Sequence, residues 1–439
     1  MCALSQESVL RSEFDTSSPR KSLSLRANFA WTFGGNLVYA ACQWGILSAL
    51  ARSGGPSMVG RFALGLAITA PVMIQASLNL RAVLATDVED DYEFPDYLAL
   101  RLLTTVLAIV VTAAISQIAN YRREVQFTII GISVAKGVEA ISDIFLGYLQ
   151  KTERMDKIAI SMASKGILSL AAILVGVHLT GSIEGAVLGL ILAWTTVLLV
   201  YDIPQFAKCA TPASGFMSTR ARLMPILSQP VNWKGLRQLA FRSLPLGFTL
   251  MLLSLNVNVP RYFVERFLGE RELGFFSAMA YFVVAGTSVT TALGQSATPR
   301  LARLYILDDR SKFRSLLWKL VLIGTSLGVL GVLVAKLAGG PLLRLVYGAE
   351  YGQYADVFVW IMVAAGASYV GSFLGYGVTA TRAFSLFFTR YLFMVIITVI
   401  ASALLIPKWG LRGAAWATLV AGVSSCIAPL LILRAKRRE

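Results

Sequence analysis

The chain has 439 residues, of which 56% are hydrophobic and 15% are charged. Soluble domains carry about 25% charged residues, so the composition excludes an ordinary soluble protein and favours a membrane protein. The formal charge of +16 would suggest nucleic-acid binding in a soluble protein. In a chain with long apolar runs, the basic residues instead indicate which loops lie on the cytoplasmic side of the membrane. We therefore expect no nucleic-acid partner.

A helix that crosses a bilayer needs about 20 mostly apolar residues, and the sequence contains twelve such segments. The polar stretch before them, residues 1–26, lacks the regions of a cleavable signal peptide, and we expect a disordered cytoplasmic tail there. The twelve predicted helices are Phe29–Ala51, Met58–Leu80, Tyr97–Ile118, Val125–Leu149, Ile158–His178, Ile183–Val200, Leu239–Val264, Leu273–Ala297, Leu316–Ala335, Tyr354–Val378, Leu386–Ile406 and Leu411–Leu433.

Basic residues concentrate in alternate connections between these helices. Because Lys and Arg mark the cytoplasmic side of short loops, the pattern predicts a multi-pass protein of the bacterial inner membrane with both termini in the cytoplasm. The basic residues are Arg20, Lys21, Arg26, Lys151, Arg154, Lys157, Lys208, Arg220, Arg222, Lys234, Arg237, Arg242, Arg300, Arg303, Arg310, Lys312, Arg314, Arg434, Lys436, Arg437 and Arg438.

The connection between the sixth and seventh helices separates two lobes. Residues 205–238 contain no Asp or Glu and predict a basic cytoplasmic linker. The segment Val231–Leu239 mixes Trp, Leu and basic residues as a helix lying on the membrane surface does, and a plain solvated linker is the alternative. We therefore predict six-helix lobes at residues 27–204 and 239–434, and a basic cytoplasmic tail at residues 435–439.

An internal repeat relates the two lobes. The pattern Arg-x2-Gly-x4-Gly-x-Phe begins at Arg52 and again at Arg266, an offset of 214 residues. Later motifs repeat at an offset of 228: Gly147-Tyr148 with Arg154 matches Gly375-Tyr376 with Arg382, and Gly185-Ala186 matches Gly413-Ala414. Each repeat holds an even number of helices, so both copies share one orientation about an axis along the membrane normal. The predicted fold is an all-α integral membrane protein of two lobes that rock about a central site.

Polar residues recur at helical spacing within the seventh predicted helix. Ser254, Asn258, Arg261 and Glu265 are separated by four, three and four residues, so they stack on one side. A charge at the centre of a bilayer costs about 3 to 17 kcal/mol. This side should therefore face protein or a water-filled cavity, and Pro260 before Arg261 opens the helix locally.

The fourth predicted helix carries Lys136, Glu139 and Asp143 on one stripe. Three charges within two turns at membrane depth must pair or meet water. The functional interpretation is a site for a charged substrate, with Glu139, Asp143 and Glu265 as candidates for binding a coupling ion. The structural alternative is a Lys136–Glu139 pair that holds the bundle together and leaves Asp143 in need of a partner.

Other polar residues complete the candidate cavity. Amides between membrane helices commonly act as packing contacts, and that interpretation competes with substrate binding for Asn36, Gln43 and Asn79. Arg81 and Arg101 lie near predicted helix ends, where long side chains can reach the headgroups. Arg300, Lys165 and Arg390, with Lys136 and Arg261, make the predicted lining more cationic than anionic. Such a lining favours an anionic ligand, and phosphate oxygens match the geometry of Arg best.

Catalysis finds no support in the sequence. It contains no Walker-type loop, no HExxH motif and no Cys/His cluster. The connections are too short for a catalytic domain, and we expect neither an enzyme nor a cofactor.

Several segments resemble the Wzx-type polysaccharide transporters, or O-antigen flippases, of the MOP superfamily, which also contains multidrug extruders and the lipid II flippase. The motifs are Leu80–Asp87, Tyr97–Thr104, Ser142–Gly147, Glu153–Asp156 and Ser254–Tyr262. The resemblance implies two six-helix lobes around a cationic cavity. It implies an undecaprenyl-diphosphate-linked oligosaccharide as cargo, moved to the periplasmic leaflet for O-antigen, capsule or exopolysaccharide assembly. It also implies a proton or sodium counter-ion, contact with membrane lipids, and a polymerase or other assembly protein as partner.

Two other functions remain open at this point. An ion-coupled multidrug or cation antiporter of the same fold requires an acidic, aromatic pocket, which the basic excess disfavours. A membrane-embedded glycosyltransferase or ligase requires a catalytic cluster on an outer loop, and the predicted outer loops are short.

Overall fold

The computed structural model describes residues 24–87, 91–210, 218–228, 231–381 and 385–435. Within these ranges the chain is helical, apart from short connections. The α-helices are α1 (Leu25–Ser77), α2 (Leu80–Thr86), α3 (Phe94–Ile118), α4 (Arg123–Lys151), α5 (Met155–Thr180), α6 (Ile183–Val197), α7 (Ile203–Ala210), α8 (Thr219–Leu227), α9 (Trp233–Leu268), α10 (Glu270–Ile306), α11 (Arg310–Tyr347), α12 (Ala355–Ala380) and α13 (Ser385–Ala435). A π-helical turn, Leu198–Asp202, joins α6 to α7, and a 3₁₀ turn, Ala349–Tyr354, precedes α12.

Two of the long helices reverse direction at a glycine. Gly55 inside α1 has φ +73°, and Gly410 inside α13 has φ +58°. Side chains are strained at positive φ and glycine is not, so each helix turns there into two arms that cross the bundle separately. We call the end of the bundle at Leu25 and Ala435 the terminal end, and the end at Gly55 the far end.

Nine helices of the described ranges are long and apolar enough to cross a membrane. Two of the nine contain two arms each, and α4 is absent from the nine. α4 carries Lys136, Glu139 and Asp143, which lower its hydropathy although its 29 residues suffice to cross a bilayer. This arrangement is consistent with the twelve predicted spans.

The sequence repeat is present in the structure. Gly55 and Gly269 stand at equivalent places, each with positive φ and extended ψ. A methyl group added at Gly60 would overlap the carbonyl oxygen of Glu270. One added at Gly274 would overlap the carbonyl oxygen of Pro56, the residue equivalent to Glu270. The equivalent glycines of the two halves therefore pack backbone to backbone, and the halves meet symmetrically at the far end.

An aromatic cluster seals the cleft between the lobes near the far end. The Trp44 ring of α1 lies edge-on to Phe282 of α10 at 5.6 Å, and its Nε1 donates to the Tyr347 hydroxyl at 2.9 Å. Ser48 Oγ donates to the Val346 carbonyl at 2.6 Å, and Arg52 donates to the same oxygen at 3.2 Å. These bonds satisfy carbonyls at the C-terminus of α11, which has no further turn to donate N–H groups to them.

The cleft opens towards the terminal end. Residues 29–33 of α1 are five consecutive exposed positions, and residues 287–289 of α10 are exposed as well. Five consecutive residues cover every side of a helix at 3.6 residues per turn, so α1 has no close neighbour there among the described residues. On the opposite flank, α9 packs along the second arm of α1 and joins the lobes. The structure is therefore closed at the far end and open at the terminal end.

Two details differ from the sequence-based expectations. Residues from Trp233 onward form the first turns of α9 and are not a separate surface helix, because Leu236 and Leu239 are buried in a cluster with Phe94. The second predicted helix, Met58–Leu80, ends at Ser77, since Leu78 and Asn79 adopt positive φ, so Asn79 lies beyond its end.

Some predicted features lie outside the described residues. They are Arg382 of the repeat, the basic residues Arg20, Lys21, Lys436, Arg437 and Arg438, and most of the two predicted tails.

Candidate functional site

The polar stripe predicted on the seventh helix is present on α9. Asn258 Nδ2 donates to the Ser254 carbonyl at 2.9 Å, and Arg261 Nη1 donates to Asn258 Oδ1 at 3.2 Å and to the Val257 carbonyl at 2.9 Å. The ion pairs within the described residues do not include Arg261. The half-buried guanidinium is thus held by its own helix, without a carboxylate partner among the described residues.

Glu265 lies one turn beyond Arg261, at the far-end seal. It accepts a hydrogen bond from the Tyr121 hydroxyl at 3.3 Å, and Tyr262 beside it donates to the Ala67 carbonyl of α1. Arg61 pairs with Glu124 at 2.8 Å as part of the same surface. Glu265 therefore contacts the opposite lobe, so it is placed to respond when the far end opens.

Lys136 and Glu139 of α4 form an ion pair of 2.7 Å, with both side chains 28–29% exposed. The Tyr39 hydroxyl of α1 donates to the second oxygen of Glu139 at 3.1 Å, and the Lys136 ammonium lies 5.1 Å from the ring of Trp194. Tyr281 of α10 is near enough to Tyr39 to interact with it electrostatically. The cluster thus joins α4 to α1, and Tyr281 of the other lobe lies near it.

Asp143 of α4 forms an ion pair with Arg81 of α2. Arg81 Nη1 pairs with Asp143 Oδ1 at 2.6 Å, and Arg81 Nε donates to Gln150 at 3.1 Å. Arg101, which the sequence placed at the headgroups, is instead 1% exposed because its side of α3 packs inside the lobe. Its Nε has no hydrogen-bond partner among the described residues, and Asp143 is the carboxylate that interacts with it electrostatically.

Lys165 does not border the cleft, contrary to the sequence-based expectation. It is 2% exposed and pairs at 3.0 Å with Asp202, which is fully buried, and Ser142 bonds to both groups. Asp202 lies in the π-helical turn after α6, and such turns often mark functional places. The sequence reasoning missed Asp202, although an acid between an apolar run and Pro204 was a visible signal.

The remaining candidates differ in position. Arg390 is only 7% exposed and donates to the Ser425 carbonyl at 3.4 Å, so it lies inside its lobe rather than on a cleft face. Arg300 is exposed near the end of α10. Asn36 is exposed and donates to the Thr32 carbonyl of its own helix at 2.9 Å, whereas Gln43 lies beside Tyr39, next to the Glu139 cluster.

We expect Asp202→Asn to lower thermal stability strongly, because it leaves the buried Lys165 charge without a counter-charge. Breaking a buried pair costs about 3–5 kcal/mol. The measurement is the melting temperature of the purified protein in detergent. The double variant Lys165→Met/Asp202→Leu should recover much of the loss, and Asp308→Asn, in an exposed pair, should lose little. If the double variant lowered the melting temperature as much as Asp202→Asn does, the unpaired charge of Lys165 would not be the cause.

Five basic side chains predicted to line the cavity differ in whether a carboxylate pairs with them. In the N-terminal lobe, Lys136, Arg81 and Lys165 each face a carboxylate within 3.0 Å. In the C-terminal lobe, Arg261 and Arg390 form no ion pair within the described residues. Among these five side chains, those without a carboxylate partner in the described residues thus lie on the C-terminal lobe.

A model of the polysaccharide biosynthesis protein family matches residues 25–305, which is more than half of the chain. The chain belongs to this family. The matched residues include the whole N-terminal lobe and the polar stripe of α9 that contains Arg261. The chain is also similar to the capsular polysaccharide biosynthesis protein CapF of Staphylococcus aureus, at 29% identity over 390 residues, or 88% of this chain and 94% of CapF.

The fold is shared with solved transporters of the MOP superfamily. An inward-facing multidrug resistance transporter of the MATE family matches with a TM-score of 0.70 and 13% identity, covering 91% of this chain and 94% of its own. The lipid II flippase MurJ, in an inward closed conformation, matches with a TM-score of 0.63 and 11% identity, covering 92% and 87%. This member of the polysaccharide biosynthesis protein family therefore has the fold of these transporters.

Proposed function

We propose that the protein flips an undecaprenyl-diphosphate-linked oligosaccharide across the bacterial inner membrane by alternating access of the cleft. The polysaccharide family supports a lipid-linked sugar as cargo, and the likeness to CapF supports capsule assembly among its uses. The observation that carries the proposal is the half-buried Arg261 guanidinium, which forms no ion pair with the described residues and which we place on the cleft.

The chemistry of Arg261 favours a phosphate group. A guanidinium offers planar, bidentate donors that match phosphate oxygens, and Nη1 is already oriented by Asn258 at 3.2 Å. The diphosphate would bind at Arg261 while the sugar occupies the cleft. The polyprenyl tail would stay in the bilayer, entering beside the exposed residues 29–33 of α1 and 287–289 of α10.

The orientation of the protein follows from its basic connections. Arg154, Lys208, Arg237, Arg303 and Arg310 all lie near the terminal end, and positive residues favour the cytoplasmic side. The terminal end would then face the cytoplasm, where a lipid-linked precursor is made. In this orientation the structure is the cytoplasm-open state, ready to load.

The Lys136–Glu139 pair offers a route to ion coupling. A cation, either a proton or sodium, that neutralises Glu139 weakens its attraction to Lys136 at 2.7 Å. The freed ammonium then adds a second positive group for the diphosphate. Tyr39 and Tyr281 join the same cluster to both lobes, so a change at Glu139 reaches the surface along which the lobes must separate.

A vesicle assay tests the function directly. Purified protein is placed in liposomes with a lipid-linked oligosaccharide, and an external glycosidase measures the sugar that appears in the outer leaflet. We expect transfer that a proton or sodium gradient accelerates in the wild type. We expect the acceleration to be lost in Glu139→Gln, which has no charge to neutralise.

Three outcomes would overturn these proposals. Transfer at the rate of empty vesicles, or transport of cationic dyes in place of the glycolipid, would remove the flippase function and favour a multidrug antiporter. An undiminished gradient effect in Glu139→Gln would leave the function intact but remove Glu139 from the coupling.

A further inference from the structure

A cavity of about 450 Å³ lies in the C-terminal lobe, at the terminal end. It is formed where α10 ends, α11 begins, and α12 and α13 finish. The floor is apolar and buried, with Leu317, Val321 and Leu374 at its base. Arg310 and Arg314, in the first turns of α11, line its mouth. We call this cavity the slot.

The slot lies apart from the proposed transport route. Every residue that lines it falls between Tyr305 and Leu433, so the N-terminal lobe contributes nothing to it. The cleft residues Lys136, Glu139 and Arg261 do not line it. A ligand in the slot can therefore remain bound to the C-terminal lobe while the two lobes move.

The charge at the mouth is only partly compensated. Arg310 Nε bonds to Asp308 at 2.7 Å, whereas Arg314 is exposed and forms no ion pair with the described residues. The turn between α10 and α11 exposes Ile306 and Leu307. An apolar turn beside arginines is typical of the level where acyl chains meet headgroups.

We propose that the slot binds an anionic phospholipid of the surrounding bilayer, with one acyl chain along the apolar floor and its phosphate on Arg314 and Arg310. From Arg314 to Val321 is seven residues of helix, or roughly 10 Å at 1.5 Å per residue, which accommodates several methylenes. The volume lies within the range of ligand pockets, about 300–1,000 Å³. A basic residue near an anionic headgroup contributes about 1 kcal/mol, so the headgroup adds selectivity to the fit of the chain.

Such a lipid would stabilise a joint between helix pairs. The slot touches the α10–α11 turn on one side and the ends of α12 and α13 on the other. A bound chain replaces van der Waals contacts that an empty apolar cavity lacks. Binding should therefore raise the stability of the C-terminal lobe independently of any transported cargo.

Native mass spectrometry of the full-length, delipidated protein tests the proposal. Phosphatidylglycerol is titrated against phosphatidylcholine with the same acyl chains. We expect the anionic lipid to be retained preferentially, and Arg314→Gln to weaken its retention by about fivefold, as the loss of one basic contact implies. Lys319→Gln is the matched control, because Lys319 is an exposed base on the same helix that does not line the slot.

A second pair of variants tests the chain. Val321→Phe fills the floor, and Leu430→Glu places a negative charge on an exposed part of the wall, where it need not disturb folding. Both should lose the retained lipid. Equal retention of the two lipids, an Arg314→Gln variant that binds like Lys319→Gln, or full retention in Leu430→Glu would each overturn the proposal. The proposal would also be overturned if these variants changed the oligomeric state and left lipid binding unchanged. The slot would then be a contact with a second copy of the chain.

Discussion

Replacing Arg261 with alanine should reduce export of the lipid-linked oligosaccharide by at least tenfold while the protein still reaches the membrane. A hydrogen bond to a charged group contributes about 1.5–3 kcal/mol, and about 1.4 kcal/mol corresponds to a factor of ten. Arg261 has no carboxylate partner within the described residues, so its removal leaves no buried charge behind. The loss should therefore appear in transport and not in stability.

The measurement is surface polysaccharide in a deletion strain that carries each variant, with membrane levels determined in parallel. Arg261→Lys should keep part of the activity, since it retains the charge and loses the bidentate geometry. Arg412→Gln is the control, because Arg412 is an exposed residue paired with Asp356 at 2.6 Å. Normal export in Arg261→Ala, or disappearance of the variant from the membrane, would assign Arg261 a structural role at most.

The second large effect concerns the crossing of the two halves. Alanine normally stabilises a helix by about 1 kcal/mol relative to glycine, but at Gly60 its methyl group overlaps the Glu270 carbonyl, and at Gly274 the Pro56 carbonyl. Backbone atoms cannot rotate away as a side chain can, and overpacking costs about 1–3 kcal/mol or more. Gly60→Ala and Gly274→Ala should therefore both lower the melting temperature and weaken closure of the far end.

Gly34→Ala is the matched control for this crossing. A methyl group at Gly34 meets nothing within 4 Å, so the usual gain in helix stability should appear. Closure is measured as the distance between spin labels on the two lobes at the far end. Equal melting temperatures for all three variants would mean that the lobes do not pack through these glycines.

The fold was largely predictable because its signals are local. Long apolar runs mark the spans, and the repeated glycines at 55 and 269 are required by backbone angles that other residues avoid. The stripe on α9 was predictable for the same reason, since Ser254, Asn258 and Arg261 follow the helical period. Helical spacing fixes which side chains share a face, whatever that face contacts.

The partners across helices were not predictable from the sequence. Lys165 and Lys136 both lie within apolar helices, but Lys165 points into its lobe at Asp202 and Lys136 borders the cleft beside Glu139. Hydropathy distinguishes helix faces that contact lipid from faces that do not. It does not distinguish a lobe interior from a cleft, because neither contacts lipid. Distinguishing them requires the packing of neighbouring helices, which also brought Arg81 to Asp143.

The two halves share one fold, but the charged residues of the candidate site each occur in one half only. At the offset of 228 residues, Lys136, Glu139 and Asp143 correspond to Ala364, Ala367 and Gly371, and at the offset of 214, Arg261 corresponds to Leu47. The two halves share the glycines at which they cross. They differ at these charged positions. Two copies of either half could repeat the scaffold, but neither pair would contain both the Lys136, Glu139 and Asp143 stripe and Arg261, so both halves are needed to bring these side chains into one molecule.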